Sequence, residues 1–292
     1  MYIKKSIGER IFDFINICFM IVLVVVTLYP FWFVTVASFS SPLSVASNRG
    51  LMLTIKGFNI DSYVAVFNNP NIWNGYKNTL IYLVLGTSIN MLLTTMGAYG
   101  LSRKNLYGRR LIMAFIIFTM FFSGGMIPGF LVVRNLKMID TIWSMVIPGA
   151  IGTYFMIIMR TSFEGIPVDF EEAARIDGAS DFTIMWKVII PLSLPTIAVI
   201  SLFYAVRHWN SYFNALLFLR SRELYPLQII LREILITNSM NDMLTDINVD
   251  RQPISETIKY ATIIVSTLPI LLLYPYLQKY FIKGVLIGGI KG

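Results

Sequence analysis

A single histidine, His208, and a single cysteine, Cys18, are all this sequence offers toward imidazole or thiol chemistry. No His/Cys metal constellation and no internal disulfide can be built from one of each; Cys18 reads as a small apolar filler. Acid–base catalysis needs positioned carboxylates or imidazoles within reach of a reacting group, and no long apolar run here has an interior Asp or Glu. Near the end, Gly284 and Gly289 are spaced as in a phosphate-cradling loop, but Ile290 stands where that loop requires Lys. Nucleotide hydrolysis therefore belongs to another chain. What remains is a stripe: Tyr204, His208 and Tyr212 repeat every four residues and share one helix face, with Arg207, Asn210 and Asn214 beside them. Two readings stand for it. It is the wall of a wet passage, or it is interhelical packing with Arg207 paired to a partner's acid or carbonyl.

A second constellation lies in residues 160–193. Asp169 followed by Glu172 has the spacing of a capping box at a helix start. Gly178 suits a left-handed C-terminal cap, Ser180 an N-cap for a second short helix, and Pro191 the end of that helix. The expected element is helix, glycine corner, helix. Phe170, Ala173, Ala174 and Asp177 share a face of its first helix. Two alanines there permit close approach of another protein, flanked by an aromatic anchor and acids. A docking knob is the physical reading.

The elements that position these residues follow from composition. The chain is 292 residues long, 56% hydrophobic and only 14% charged, with mean hydropathy +0.67. Typical soluble domains carry roughly 25% charge, so this is an integral membrane protein and not a disordered one. Six charge-poor runs are long enough to cross a hydrocarbon core about 30 Å thick: 14–36, 79–101, 111–133, 141–159, 194–219 and 258–280. They must be helical, because backbone groups cannot stay unpaired in lipid. Pro30, Pro128, Pro148 and Pro269 then predict kinks within spans. The first run is too long for a signal-peptide core and reads as an uncleaved span. The expected fold is all-α: a polytopic membrane protein, one transmembrane domain over 1–292, with an exposed loop at 160–193.

Lys4, Lys5 and Arg10 precede the first span, and Arg103, Lys104, Arg109 and Arg110 fill the short second connection. The positive-inside rule puts both in the cytoplasm, together with both termini and the 160–193 loop. Segments 40–77, 134–140 and 220–257 then lie outside, although Arg220, Arg222, Arg232 and Arg251 reduce the contrast. The net charge of +8 is matched to anionic lipid headgroups and not to nucleic acid. An ion-coupled transporter needs polar ion sites near the midplane, which these spans lack.

Glu172-Ala173-Ala174, Gly178, Val188 and Ile190-Pro191 resemble the EAA signature of permease subunits in bacterial ATP-binding-cassette importers. The likeness extends over nearly the whole chain. Asn78-Thr79, Ala98-Tyr99-Gly100-Leu101-Ser102-Arg103 and His208-Trp209-Asn210-Ser211-Tyr212-Phe213 look like carbohydrate permeases of the maltose-importer type, in the shorter, six-span partner. Ser123-Gly124-Gly125 through Pro128, and Tyr274-Pro275, resemble the branch associated with complex oligosaccharides, including uronate-containing ones. The resemblance implies that Glu172, Ala173, Ala174, Gly178 and Pro191 form a coupling helix docked on an ATPase subunit. It implies that Gly284, Gly288 and Gly289 reach the ATPase interface. The implied partners are a second permease, two ATP-binding subunits that hold ATP and magnesium, and an extracytoplasmic solute-binding protein; no cofactor sits on this chain. Under this resemblance Tyr204, His208 and Tyr212 are candidates to stack on sugars, and Arg207 to favour carboxylated ones.

Overall fold

The computed structural model describes residues 6–48, 50–244 and 257–272, and among these the fold is helical apart from one isolated antiparallel bridge between Ser40 and Phe58. The described residues group into two compact units. One contains those up to Pro70 and those of Leu231–Leu268; the other contains Asn71–Ile230.

In the first unit, α1 (Ile7–Ser38) opens with a capping box. The Ser6 hydroxyl accepts from the Glu9 amide, and the Glu9 carboxylate accepts from the Ser6 amide. Beyond it the helix exposes apolar side chains on every face, among them Phe14, Ile17, Val22, Val25 and Phe31. That distribution suits lipid and not water. Pro30 lies inside the helix without ending it, as a proline can where lipid enforces helicity. Only the far end packs: Val36 and Ala37 join Val45 and Met52, with Phe33 edge-on to Tyr260. The connection after α1 is structured. It forms α2 (Pro42–Ser47) and α3 (Asp61–Phe67), tied by hydrogen bonds from the Trp32 indole to the Leu53 carbonyl and between Ser62 and Thr257.

In the second unit, α4 (Pro70–Ser102) begins nine residues before the expected start at 79, because Pro70 is pre-set for the first helical turn. Its residues Asn78, Tyr82, Gly86, Asn90, Thr94 and Ala98, four apart, are all buried and form a continuous stripe. The next spans differ from unbroken helices. The third is α5 (Arg109–Phe121) and α6 (Met126–Asn135), bent by 112°, and the fourth is α7 (Ile142–Gly149) and α8 (Thr153–Glu164), bent by 52°. Pro128 is therefore no mid-span kink. The chain has already broken at Ser123-Gly124-Gly125, with Gly125 at φ 83, and Pro128 sits in the first turn of the new helix. Pro148 likewise lies in a tight 3₁₀ turn that closes α7.

After α8 come α9 (Asp169–Ile176), α10 (Asp181–Leu192) and α11 (Leu194–Trp209), the last two at 87°. The expected span 194–219 is interrupted after Trp209 and resumes only as α12 (Phe213–Phe218). Then follow α13 (Leu227–Leu244) and α14 (Thr257–Leu272). Among the described residues two helices, α1 and α4, are long and apolar enough to cross a membrane, and the three bent pairs raise the number to as many as five. Positions 273–280 of the expected sixth span lie outside the described residues.

Candidate functional site

The α9–α10 elbow is built by its caps. Gly178 adopts φ 79, which an L side chain resists. Its amide bonds the Arg175 carbonyl, and the next amide, Ala179, bonds the Ala174 carbonyl. That is the Schellman arrangement for ending a helix. Ser180 then accepts from the Thr183 amide and starts α10. At the other end the expected capping box does not form. Asp169 is the first residue inside α9, its predecessor Val168 supplies no side-chain cap, and the three acids Asp169, Glu171 and Glu172 complement the helix N-terminus through charge. Pro191 does not stop α10 by itself; the helix runs through a π-helical turn at Met185–Ile189 and ends at Leu192.

The elbow has two different faces. Ile184, Met185 and Ile189 are buried against Met159 and Phe163, with Ala174 and Ala179 packed at the edge of that cluster. Each such side chain taken from water is worth roughly 1.5–3 kcal/mol. The other face is open: Glu172, Ala173 and Gly178 are exposed, as are Ile176 (87%), Phe182 (62%) and Phe170 (50%). A Cβ placed on Gly178 would meet nothing, so its surroundings are free for another molecule. Glu171 pairs with Arg103, whose guanidinium lies 4.6 Å over the Tyr99 ring and bonds the Ser102 hydroxyl. Glu172 is exposed and lines the same cleft as that pair. α9 is thus pinned to the end of α4 while its outer face stays exposed among the described residues.

The tyrosine–histidine stripe divides between internal hydrogen bonds and a small cleft. Tyr204 is fully buried, with its hydroxyl accepting from the Gly152 amide and sharing a hydrogen bond with Thr94, both 2.8 Å. The Nε2–H of His208 donates to Asn90 Oδ1 at 2.7 Å. The Asn90 amide in turn donates to the carbonyls of Gly149 and Ala150, both 2.8 Å. These are the backbone groups released where α7 breaks from α8. Unsatisfied polar groups at membrane depth cost several kcal/mol each; Asn90 and Tyr204 satisfy them, and His208 and Thr94 hold those two side chains in place. Gly86 leaves room for the imidazole, since a Cβ there would overlap it. Tyr204 and His208 thus make hydrogen bonds within the chain, which supports the packing reading for them. Sequence reasoning missed Asn90, Thr94 and Gly86; the available signal was two polar residues and a glycine four apart inside an apolar span.

Arg207 and Tyr212, together with His208, Asn210, Ser211 and Asn214, line a cleft of about 190 Å³. The Arg207 guanidinium lies on Gly149 and makes no ion pair among the described residues.

Residues 91–287 match the family described as the binding-protein-dependent transport system inner membrane component. This chain belongs to that family. The Bacillus subtilis (strain 168) polygalacturonan/rhamnogalacturonan transport system permease protein YtcP is 41% identical over 97% of this chain and 99% of its own. Protein LplC of the same organism is 38% identical over 97% and 96%. A chain from the crystal structure of a bacterial ABC transporter involved in the import of the acidic polysaccharide alginate superimposes with TM-score 0.85. It is 35% identical, over 96% of this chain and 100% of that one.

This inner-membrane component is thus a multi-pass, non-catalytic permease subunit of an ABC importer that works with a solute-binding protein. No group of three or more potential metal ligands occurs among the described residues. The tail glycines Gly284, Gly288 and Gly289 lie outside them.

Proposed function

We propose that this permease is the shorter, six-span member of a permease pair that carries a uronate-containing oligosaccharide into the cytoplasm, as one domain with both termini inside. Two ATP-binding subunits hold ATP and magnesium and supply the work. The α9–Gly178–α10 elbow is their docking knob: Glu172, Ala173 and Gly178 meet a cleft of one ATPase subunit, Ala174 seats α9 on the chain's own cluster so that they can, and Pro191 lies in the last turn of the element. Gly284, Gly288 and Gly289 in the tail make a second contact near the ATPase interface. Arg207 and Tyr212 face the passage and meet the carboxylate and ring of a passing sugar.

One observation carries the reading: a rigid elbow, pinned on one face by Arg103 and a hydrophobic cluster, that exposes apolar and small residues on the other. The acidic cargo is supported by relatives named for polygalacturonan, rhamnogalacturonan and alginate and by a cationic side chain without an acid partner in the described residues. Gly178→Asp tests the docking claim. Aspartate tolerates the left-handed region better than most residues, at about 1–2 kcal/mol, so the chain should insert normally. The expected result is loss of uptake with ATP hydrolysis retained or raised. Uptake at the wild-type rate, at equal membrane abundance, defeats the assignment.

A further inference from the structure

A cleft of about 940 Å³ lies beside the short connection between α4 and α5, bounded by that connection, the first turns of α5 and the side of α8. Its rim carries four cations, Lys104, Arg109, Arg110 and Arg160, and no carboxylate is among the residues lining it. Its wall is apolar, formed by Leu111, Ala114 and Ile117 at three-residue spacing along one face of α5. Glu164 takes ion pairs from both Arg109 and Arg160. Lys104 and Arg110 form no ion pair among the described residues. Four positive charges against one negative leave about three in excess at the mouth of a membrane-entering helix.

We propose that this cleft binds an anionic phospholipid. The phosphodiester sits among Lys104, Arg110 and the guanidinium groups of Arg109 and Arg160, and an acyl chain lies along the α5 wall. Charge complementarity selects the headgroup, because a zwitterionic lipid leaves the excess charge uncompensated. Continuity of the basic rim with the apolar wall selects a lipid over a free anion. The permease reading supplies only the membrane in which α5 is immersed; the binding claim stands or falls separately from docking or cargo. Arg109 and Arg160 also hold Glu164, and Arg160 bonds the Leu101 carbonyl at 3.1 Å, so a bound lipid would brace the same connection that carries Arg103 to the α9 elbow.

The test uses the assembled transporter in nanodiscs containing phosphatidylcholine with or without phosphatidylglycerol, read by lipid retention on the extracted complex in native mass spectrometry. Lys104→Gln with Arg110→Gln removes two rim charges and spares both arginines engaged with Glu164. About fivefold weaker binding per basic residue predicts roughly 30-fold weaker phosphatidylglycerol retention in the double variant, with phosphatidylcholine unchanged. Equal retention in wild type and variant overturns the proposal. Competition by soluble glycerol phosphate as effective as by phosphatidylglycerol overturns the lipid assignment in favour of a free-anion site. A disulfide from Leu111→Cys to the second permease would overturn it in favour of a protein-covered face.

Discussion

Two ionisable residues show how position decides role. Arg207 lies on Gly149 at the edge of a polar cleft, and the proposal gives it the carboxylate of the cargo. A charge-assisted hydrogen bond is worth about 1.5–3 kcal/mol. Arg207→Gln should therefore lower transport of a uronate oligomer by about tenfold or more and leave a neutral oligosaccharide of the same length nearly unaffected, measured in proteoliposomes with the matching binding protein. Equal loss for both would assign Arg207 to structure. Asp140 has a structural task. Its carboxylate accepts from the Ser221 hydroxyl and from the Ser221 and Arg220 amides, and those bonds hold it below the usual carboxylate range. A pKa lower in the folded than in the unfolded state means the stabilisation is complete above the unfolded value and is lost as pH falls through the folded one. The acid limb of a thermal-stability profile should thus be shallower in Asp140→Asn than in the wild type. Superimposable acid limbs would contradict the clamp.

Among the helices, capping signals and hydropathy differed in what they could specify. Gly178 and Ser180 were legible because each encodes a local geometry, a positive φ and an amide acceptor, that nothing distant needs to supply. Asp169 misled: acids belong in the first turn of a helix as well as at its cap, so the start shifted by one residue and the capping box vanished. Spans three and four were legible as apolar runs but not as bent pairs, and span five not as a helix interrupted after Trp209, because lipid accepts apolar residues on every side and hydropathy carries no direction. Their breaks are held by remote partners, such as Asn90 for the carbonyls of Gly149 and Ala150. Replacing Asn90 with Leu strands two carbonyls and the His208 donor. At about 1–3 kcal/mol for each buried group left unsatisfied, the purified permease should melt several degrees lower and extract in poorer yield. An unchanged melting temperature would show that the break does not depend on Asn90.

For the whole molecule, the composition identified a membrane protein, and the family match makes it a permease. Periodicity could not reveal that Tyr204 bonds the Gly152 amide and His208 bonds Asn90 while Arg207, on the same helix, lies on Gly149 at a cleft that His208 also lines; that arrangement depends on where α4 and α7 lie. The central claim is that residues 169–191 face the cytoplasm and press on the ATPase. It is tested most directly by replacing Cys18 with Ser, introducing cysteine at the exposed Ala173, and pairing it with single cysteines in the docking cleft of the partner ATPase in whole cells. The account predicts a disulfide to the ATPase whose yield changes with nucleotide, and no labelling by a membrane-impermeant maleimide added outside. Labelling from outside, with no crosslink to the ATPase, would contradict it.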